Sequence, residues 1–170
     1  MTRIVLILSL LWAFGFSSGI APVASGSPEP LAVIVHPGVS AEALSGPDLR
    51  SIYRRETRFW PSGEAIRPLA LPPESDLRQQ FDLAVMGLDA DGVARFWIDQ
   101  RVRGTATPPR VVPSTALIAR VVPALSGSIA YVPLSMAPKG ARVVAMVRDG
   151  RVQTALASQR HLAQASAEAP

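Results

Sequence analysis

The sequence predicts an α/β domain: a mostly buried mixed sheet flanked by helices. Three observations lead there. Short aliphatic runs bounded by turn residues alternate with longer stretches whose apolar residues recur at helical spacing. The strand runs are nearly continuous in apolar residues, as in sheets covered on both faces. The 170 residues, 48% hydrophobic and 18% charged, suit one domain with a substantial core rather than a disordered chain.

Taken in order, the N-terminus comes first. Arg3 precedes an apolar run from Ile4 to Phe16, and small residues and breakers follow through Gly26. A charged start, a short apolar core and a small-residue exit have the form of a secretory signal peptide, with Val23-Ala24-Ser25 or Ala24-Ser25-Gly26 as the cleavage site. The run is shorter than the about 20 residues that cross a bilayer. The expected organisation is a signal peptide over residues 1–26 that engages the export machinery, a lobe over 27–150 and a C-terminal tail over 151–170. The location this implies is periplasmic or secreted.

After a proline-containing linker, Leu31–Val35 reads as a buried strand stopped by His36-Pro37-Gly38. Leu44–Trp60 follows as a short helix. Pro47 suits its first turn, Ser45 or Gly46 caps it, and Asp48 favours its positive end. Leu44, Leu49, Ile52 and Tyr53 form its apolar face; Arg50, Arg54, Arg55 and Arg58 crowd the remainder. Trp60-Pro61-Ser62-Gly63 is turn material, and Ile66–Leu71 is a second strand ended by Pro72-Pro73.

Leu77, Phe81, Ala84, Val85 and Leu88 then repeat at helical spacing, with Ser75 or Asp76 as cap. Asp89 opens a further helix with Val93, Phe96 and Trp97 inward. Gly104–Pro109 breaks the pattern, Arg110–Val112 is a brief strand, and Ser114 caps a helix carrying Leu117, Ile118, Val121 and Val122 that ends at Pro123. Ser128–Val132 and Arg142–Val147 are strands, Asp149-Gly150 is a turn, and the Ala/Gln/Ser-rich stretch from Gln153 reads as a frayed helix.

Catalytic chemistry has no visible residues, and the chain is expected not to be an enzyme. His36 and His161, the two histidines, lack carboxylates or cysteines at ligand spacing, and the chain has no cysteine. Asp89-Ala90-Asp91-Gly92 fails as a calcium loop, because the first ligand position falls on Gly87 and the twelfth on Ile98. Nothing in the sequence brings Glu56 and Glu64 together as an acid–base pair. No phosphate-cradling loop or dinucleotide fingerprint is present. No cofactor and no metal are expected.

The net charge of +4, nearly all of it arginine, suits an anionic ligand or partner. Export argues against nucleic acid. Anion binding needs only backbone donors at a helix start and perhaps an arginine. Ser75, opening the Asp76–Leu88 helix, is the candidate ligand residue, with Arg78 reaching back over the same turn. Against this, the blander reading has Ser75 as a plain cap and Arg78 exposed to solvent, and Asp76 in that turn already satisfies the helix end and repels phosphate.

Several blocks, taken in order, resemble phosphate ABC-transporter substrate-binding proteins. They are Leu44-Ser45 through Leu49-Arg50-Ser51-Ile52-Tyr53, then Trp60-Pro61-Ser62-Gly63 and Ile66-Arg67-Pro68. The Ser75-to-Phe81 helix, Gly104-Thr105 through Pro108-Pro109, and Ser126-Gly127-Ser128-Ile129-Ala130-Tyr131-Val132 follow. The resemblance runs over roughly residues 31–133. It implies a type II periplasmic-binding-protein architecture, phosphate or another oxyanion as ligand, and an ABC permease or another envelope protein as partner. Full members close two lobes over the ligand, whereas this chain has room for one. Leu71 stands near the family's arginine position, and Asp76-Leu77 follows Ser75 in place of glycine-threonine, so Ser75 alone carries over. The alternative is a single-lobe envelope interaction module that keeps the fold without the ligand. It would present Arg54, Arg55 and Arg58 to an acidic partner or anionic lipid.

Overall fold

The computed structural model describes residues 29–41 and 43–155. The segment expected to be a signal peptide, its candidate cleavage sites, His161 and most of the expected tail lie outside the described residues. No described helix is long and apolar enough to cross a membrane.

Six strands form one mixed sheet in the order β3-β2-β4-β1-β5-β6. The strands are β1 (Leu31–Val35), β2 (Arg67–Ala70), β3 (Arg110–Val111), β4 (Ser128–Pro133), β5 (Arg142–Arg148) and β6 (Arg151–Thr154). β1 is antiparallel to β4 and β5, while β2 runs parallel to β3 and β4. Every residue of β1 and β4 is buried, which is why both read as apolar runs without alternation. The β1–β5 register shifts between Val33 and Ile34, and the displaced Val144 carbonyl accepts from the Leu44 N–H at 3.0 Å. That bond ties the start of the first helix to the sheet.

Among the described residues the α-helices are α1 (Gly46–Tyr53), α2 (Asp76–Met86), α3 (Ala90–Val102), which packs on α2, and α4 (Thr115–Val121). In α1 the cap is Ser45. Its N–H donates to Asp48 while its hydroxyl accepts from the Asp48 N–H, a reciprocal capping box. α2 stops at Gly87, whose φ of 70° permits the left-handed turn that sends its N–H back to Asp82 and Leu83. Asp89 caps α3 by accepting from the Gly92 N–H, and Ser114 caps α4 by accepting from the Leu117 N–H.

Tyr53, Phe81 and Tyr131 pack together at the centre. Phe81 stacks on Tyr131 at 3.9 Å between centroids and meets Tyr53 edge-on at 4.7 Å. A smaller cluster of Met86, Val93 and Trp97 sits under α3, with Phe96 packed half-buried against it.

Two expectations need correction. Leu117, placed on the inward face of its helix, is more than a third exposed, and Ile118 and Val122 carry the packing there. Residues 151–154, expected in the tail, form the edge strand β6. They pair with β5 across the Asp149-Gly150 turn, where both residues have positive φ as a two-residue hairpin turn demands.

A candidate anion site at the carboxyl ends of the parallel strands

Because β2 and β3 are parallel, their carboxyl ends lie on the same edge of the sheet. Each leads through a short proline-containing loop into a helix, Pro72-Pro73 into α2 and Pro113 into α4. Helix starts at such strand ends are the usual place for a ligand in sheets of this kind. A hollow of about 400 Å³ lies there, lined by Leu71, Pro72, Glu74, Ser75, Leu77 and the Pro113–Thr115 turn.

The start of α2 differs from the starts of the other helices. Ser75 has the extended backbone of a cap, but its hydroxyl accepts no hydrogen bond from the first turn. Among the described residues, the N–H groups of Asp76, Leu77 and Arg78 find no acceptor; the first helical bond of this turn runs from Gln79 to Ser75. These orphan donors carry the positive end of the helix dipole. Glu74 and Asp76, both exposed, bring negative charge to the same turn and subtract from its field.

Arg78 does not reach over this turn. It is buried, with its Nε donating to Asp82 at 2.5 Å and a terminal nitrogen donating to the Leu71 carbonyl at 2.9 Å. The Leu71 N–H donates in turn to the Tyr131 hydroxyl at 3.2 Å. Leu71, near which the resembled family has an arginine, is therefore held on both sides of its peptide unit. Arg78 is a positioning residue for the loop that carries Ser75. Burial is the larger influence on Asp82 and holds its carboxyl above the usual value, with the Arg78 charge and hydrogen bond opposing. Burial likewise pushes the Tyr53 and Tyr131 hydroxyls up, so both stay neutral donors and acceptors beside the pair.

The three arginines expected on a partner surface are largely committed to the fold. Arg54 is half-buried, donates to the Met86 carbonyl and lies over the Phe96 ring at 5.5 Å. Arg55, at φ 64°, donates to the Ile66 carbonyl at 3.0 Å. Only Arg58 is exposed, and it too donates, to the Arg55 and Thr105 carbonyls. His36 accepts from the Gly38 N–H in its own turn. Among the described residues, no group of His, Asp or Glu could hold a metal ion.

The contrast between the two serine caps yields a stability prediction. Ser114→Ala removes a working cap and is expected to cost about 1 kcal/mol in urea unfolding. Ser75→Ala removes none and is expected to stay within about 0.5 kcal/mol of the parent. Equal losses in the two variants would show that Ser75 caps after all.

No family model and no curated protein matches the sequence. Solved structures do match. An ABC-type phosphate transport receptor from Vibrio cholerae superposes with a TM-score of 0.55 at 16% identity, over 68% of this chain and 45% of its own. A phosphate ABC transporter substrate-binding protein with bound phosphate from Clostridium perfringens gives 0.56 at 17%, over 68% and 44%. PstS from Borrelia burgdorferi gives 0.54 at 17%, over 68% and 46%. The chain thus spans less than half the length of each protein it resembles. Its described residues share the fold of the matched part of these proteins, a mixed sheet with helices packed on it.

Proposed function

We propose that the protein is an exported oxyanion-binding protein of the phosphate type, serving phosphate uptake or sensing beside an ABC permease. Its ligand would sit at the start of α2. The observation that carries this reading is the uncommitted Ser75 hydroxyl together with three backbone N–H groups at a strand-end hollow. A tetrahedral oxyanion placed there accepts from the N–H groups of the first turn and from Ser75, and gains from the helix dipole. The likeness to phosphate-binding structures supports the same ligand class.

The hollow is open to solvent, so water competes for every donor, and Glu74 and Asp76 oppose the charge. Binding is therefore expected to be much weaker than in a closed two-lobed cleft. Export rests on the form of the N-terminal segment.

Thermal unfolding with phosphate, sulfate and arsenate tests the reading. An oxyanion at about one hundred times its Kd adds roughly 2.7 kcal/mol, a readable rise in Tm. Ser75→Asp, which places a carboxylate where the anion would sit, should abolish the rise. No rise with any of the three at millimolar concentration would remove the reading.

The second reading, a single-lobe envelope interaction module, is favoured by a different observation. An apolar groove with Trp97 in its wall is bordered by Ile98 and Val111, exposed by 62% and 51%. Loss of an envelope partner in Ile98→Asp, with oxyanion binding absent throughout, is the outcome that selects it.

A further inference from the structure

At the opposite, amino-terminal ends of β2 and β3 lies a second concave region that the anion reading does not use. Two hollows share Arg55 and Thr107 and are therefore adjacent. One, of about 370 Å³, is lined by Arg55, Arg67 and Arg110 with Thr107 and Leu125. The other, of about 310 Å³, is lined by Arg55, Arg58 and Arg101 with Thr105 and Thr107. Arg67 and Arg110 open the two parallel strands. Because Arg110 registers with Leu69, two residues on from Arg67, both arginines project from the same face of the sheet.

No carboxylate lines either hollow. Glu64 is bonded to Ser126, and Glu56 lines neither hollow. Among the described residues the ion pairs are Arg78–Asp82 and Arg103–Asp99, so none of the five hollow-lining arginines is neutralised by a described carboxylate. Arg55 and Arg58 are fixed by carbonyl bonds to Ile66, Arg55 and Thr105. The side chains of Arg67, Arg101 and Arg110 make no hydrogen bond among the described residues, so their forks are open to a ligand. Arg55 is held below its usual value by burial first and by the neighbouring Arg58 charge second. A concave site of one sign focuses its field on whatever enters.

We propose that this arginine-lined double hollow binds a soluble anion carrying two phosphate-like groups, one in each hollow, bridged at Arg55. Three arginines around one hollow offer more forks than a single carboxylate accepts, whereas a phosphate group presents three free oxygens to donors from several directions. The site is separate from Ser75 and stands or falls independently of it.

The test is calorimetric titration of the purified Ser75→Asp protein, in which the introduced carboxylate blocks the α2 start, with pyrophosphate at low salt, beside orthophosphate and succinate. The expected result is saturable binding of pyrophosphate, tighter than either comparison anion and weakened by added salt. Arg67→Ala and Arg110→Ala, which break no bond within the described fold, should each lower that affinity on the order of tenfold or more. Arg67→Lys, which keeps charge and loses the fork, should fall between. Absence of saturable binding at millimolar pyrophosphate overturns the proposal, and so does affinity that survives both arginine substitutions. Equal binding of orthophosphate overturns the two-group ligand, and tighter binding of succinate overturns the phosphate class. Arginine-dependent binding to vesicles containing phosphatidylglycerol, without binding of pyrophosphate, overturns the soluble ligand in favour of a lipid headgroup.

Discussion

Arg78→Met is expected to destabilise the protein by about 3–5 kcal/mol, a fall in Tm of roughly 10–20 °C. The side chain is buried, and its loss leaves Asp82 as an uncompensated carboxylate inside the domain while the Leu71 carbonyl loses its donor. The pH dependence carries a sign. Burial already raises the Asp82 pKa above its unfolded value, and removing Arg78 removes the leading opposing influence. The folded state then binds the proton more readily than the unfolded one, so acidification favours the fold. The deficit of Arg78→Met measured in urea should accordingly be smaller at about pH 5 than at pH 7. The double variant Arg78→Met/Asp82→Leu, which removes both charges, should recover most of the loss. A single variant no less stable than the double would contradict this account of the pair.

Gly127→Ala should cost about 2–5 kcal/mol, the sum of two contributions. Gly127 has φ 71°, where an L-residue costs about 1–2 kcal/mol. Space is the second term. A Cβ there would run into the Ala65 carbonyl oxygen and press on the Glu64 side chain at 3.3 Å. Backbone must move to admit it, at about 1–3 kcal/mol. The same residue accepts from the Trp60 indole N–H at 3.1 Å and from the Arg67 N–H at 3.0 Å, so its displacement reaches both the Trp60 anchor and the start of β2. Gly63→Ala serves as the control. Its φ is also positive, at 85°, but nothing lies within 4 Å of an added Cβ, so only the backbone strain should appear. Equal losses in the two variants would show that the close approach to Ala65 carries no energy.

The strands were legible where burial is two-sided. Leu31–Val35 and Ser128–Val132 have no polar residue that needs a solvent face apart from Ser128, which turns its hydroxyl to the Val122 carbonyl. Helix starts were legible from Ser45, Asp89 and Ser114, whose side chains accept from the first turn. β6 was not. Arg151–Thr154 is an edge strand with no fully buried residue, so no apolar run announces it, and only the Asp149-Gly150 turn pointed to a hairpin. The burial of Arg78 escaped because an arginine in an amphipathic pattern is assigned outward by default. The signal that would have found it is Asp82 four residues on, at pairing distance on one helix face. The double hollow escaped for another reason: Arg67, Arg101 and Arg110 are scattered along the chain, and only the parallel pairing of β2 with β3 and the packing of α3 bring them near Arg55 and Arg58.

The proposed oxyanion site at the start of α2 has a residue-level readout. Phosphate is titrated into isotope-labelled protein and the amide resonances are followed. Saturable shifts are expected at the Asp76, Leu77 and Arg78 amides, lost in Ser75→Asp. Amides of that turn unmoved at millimolar phosphate, whatever happens at the arginine-lined hollows, would contradict the proposed site.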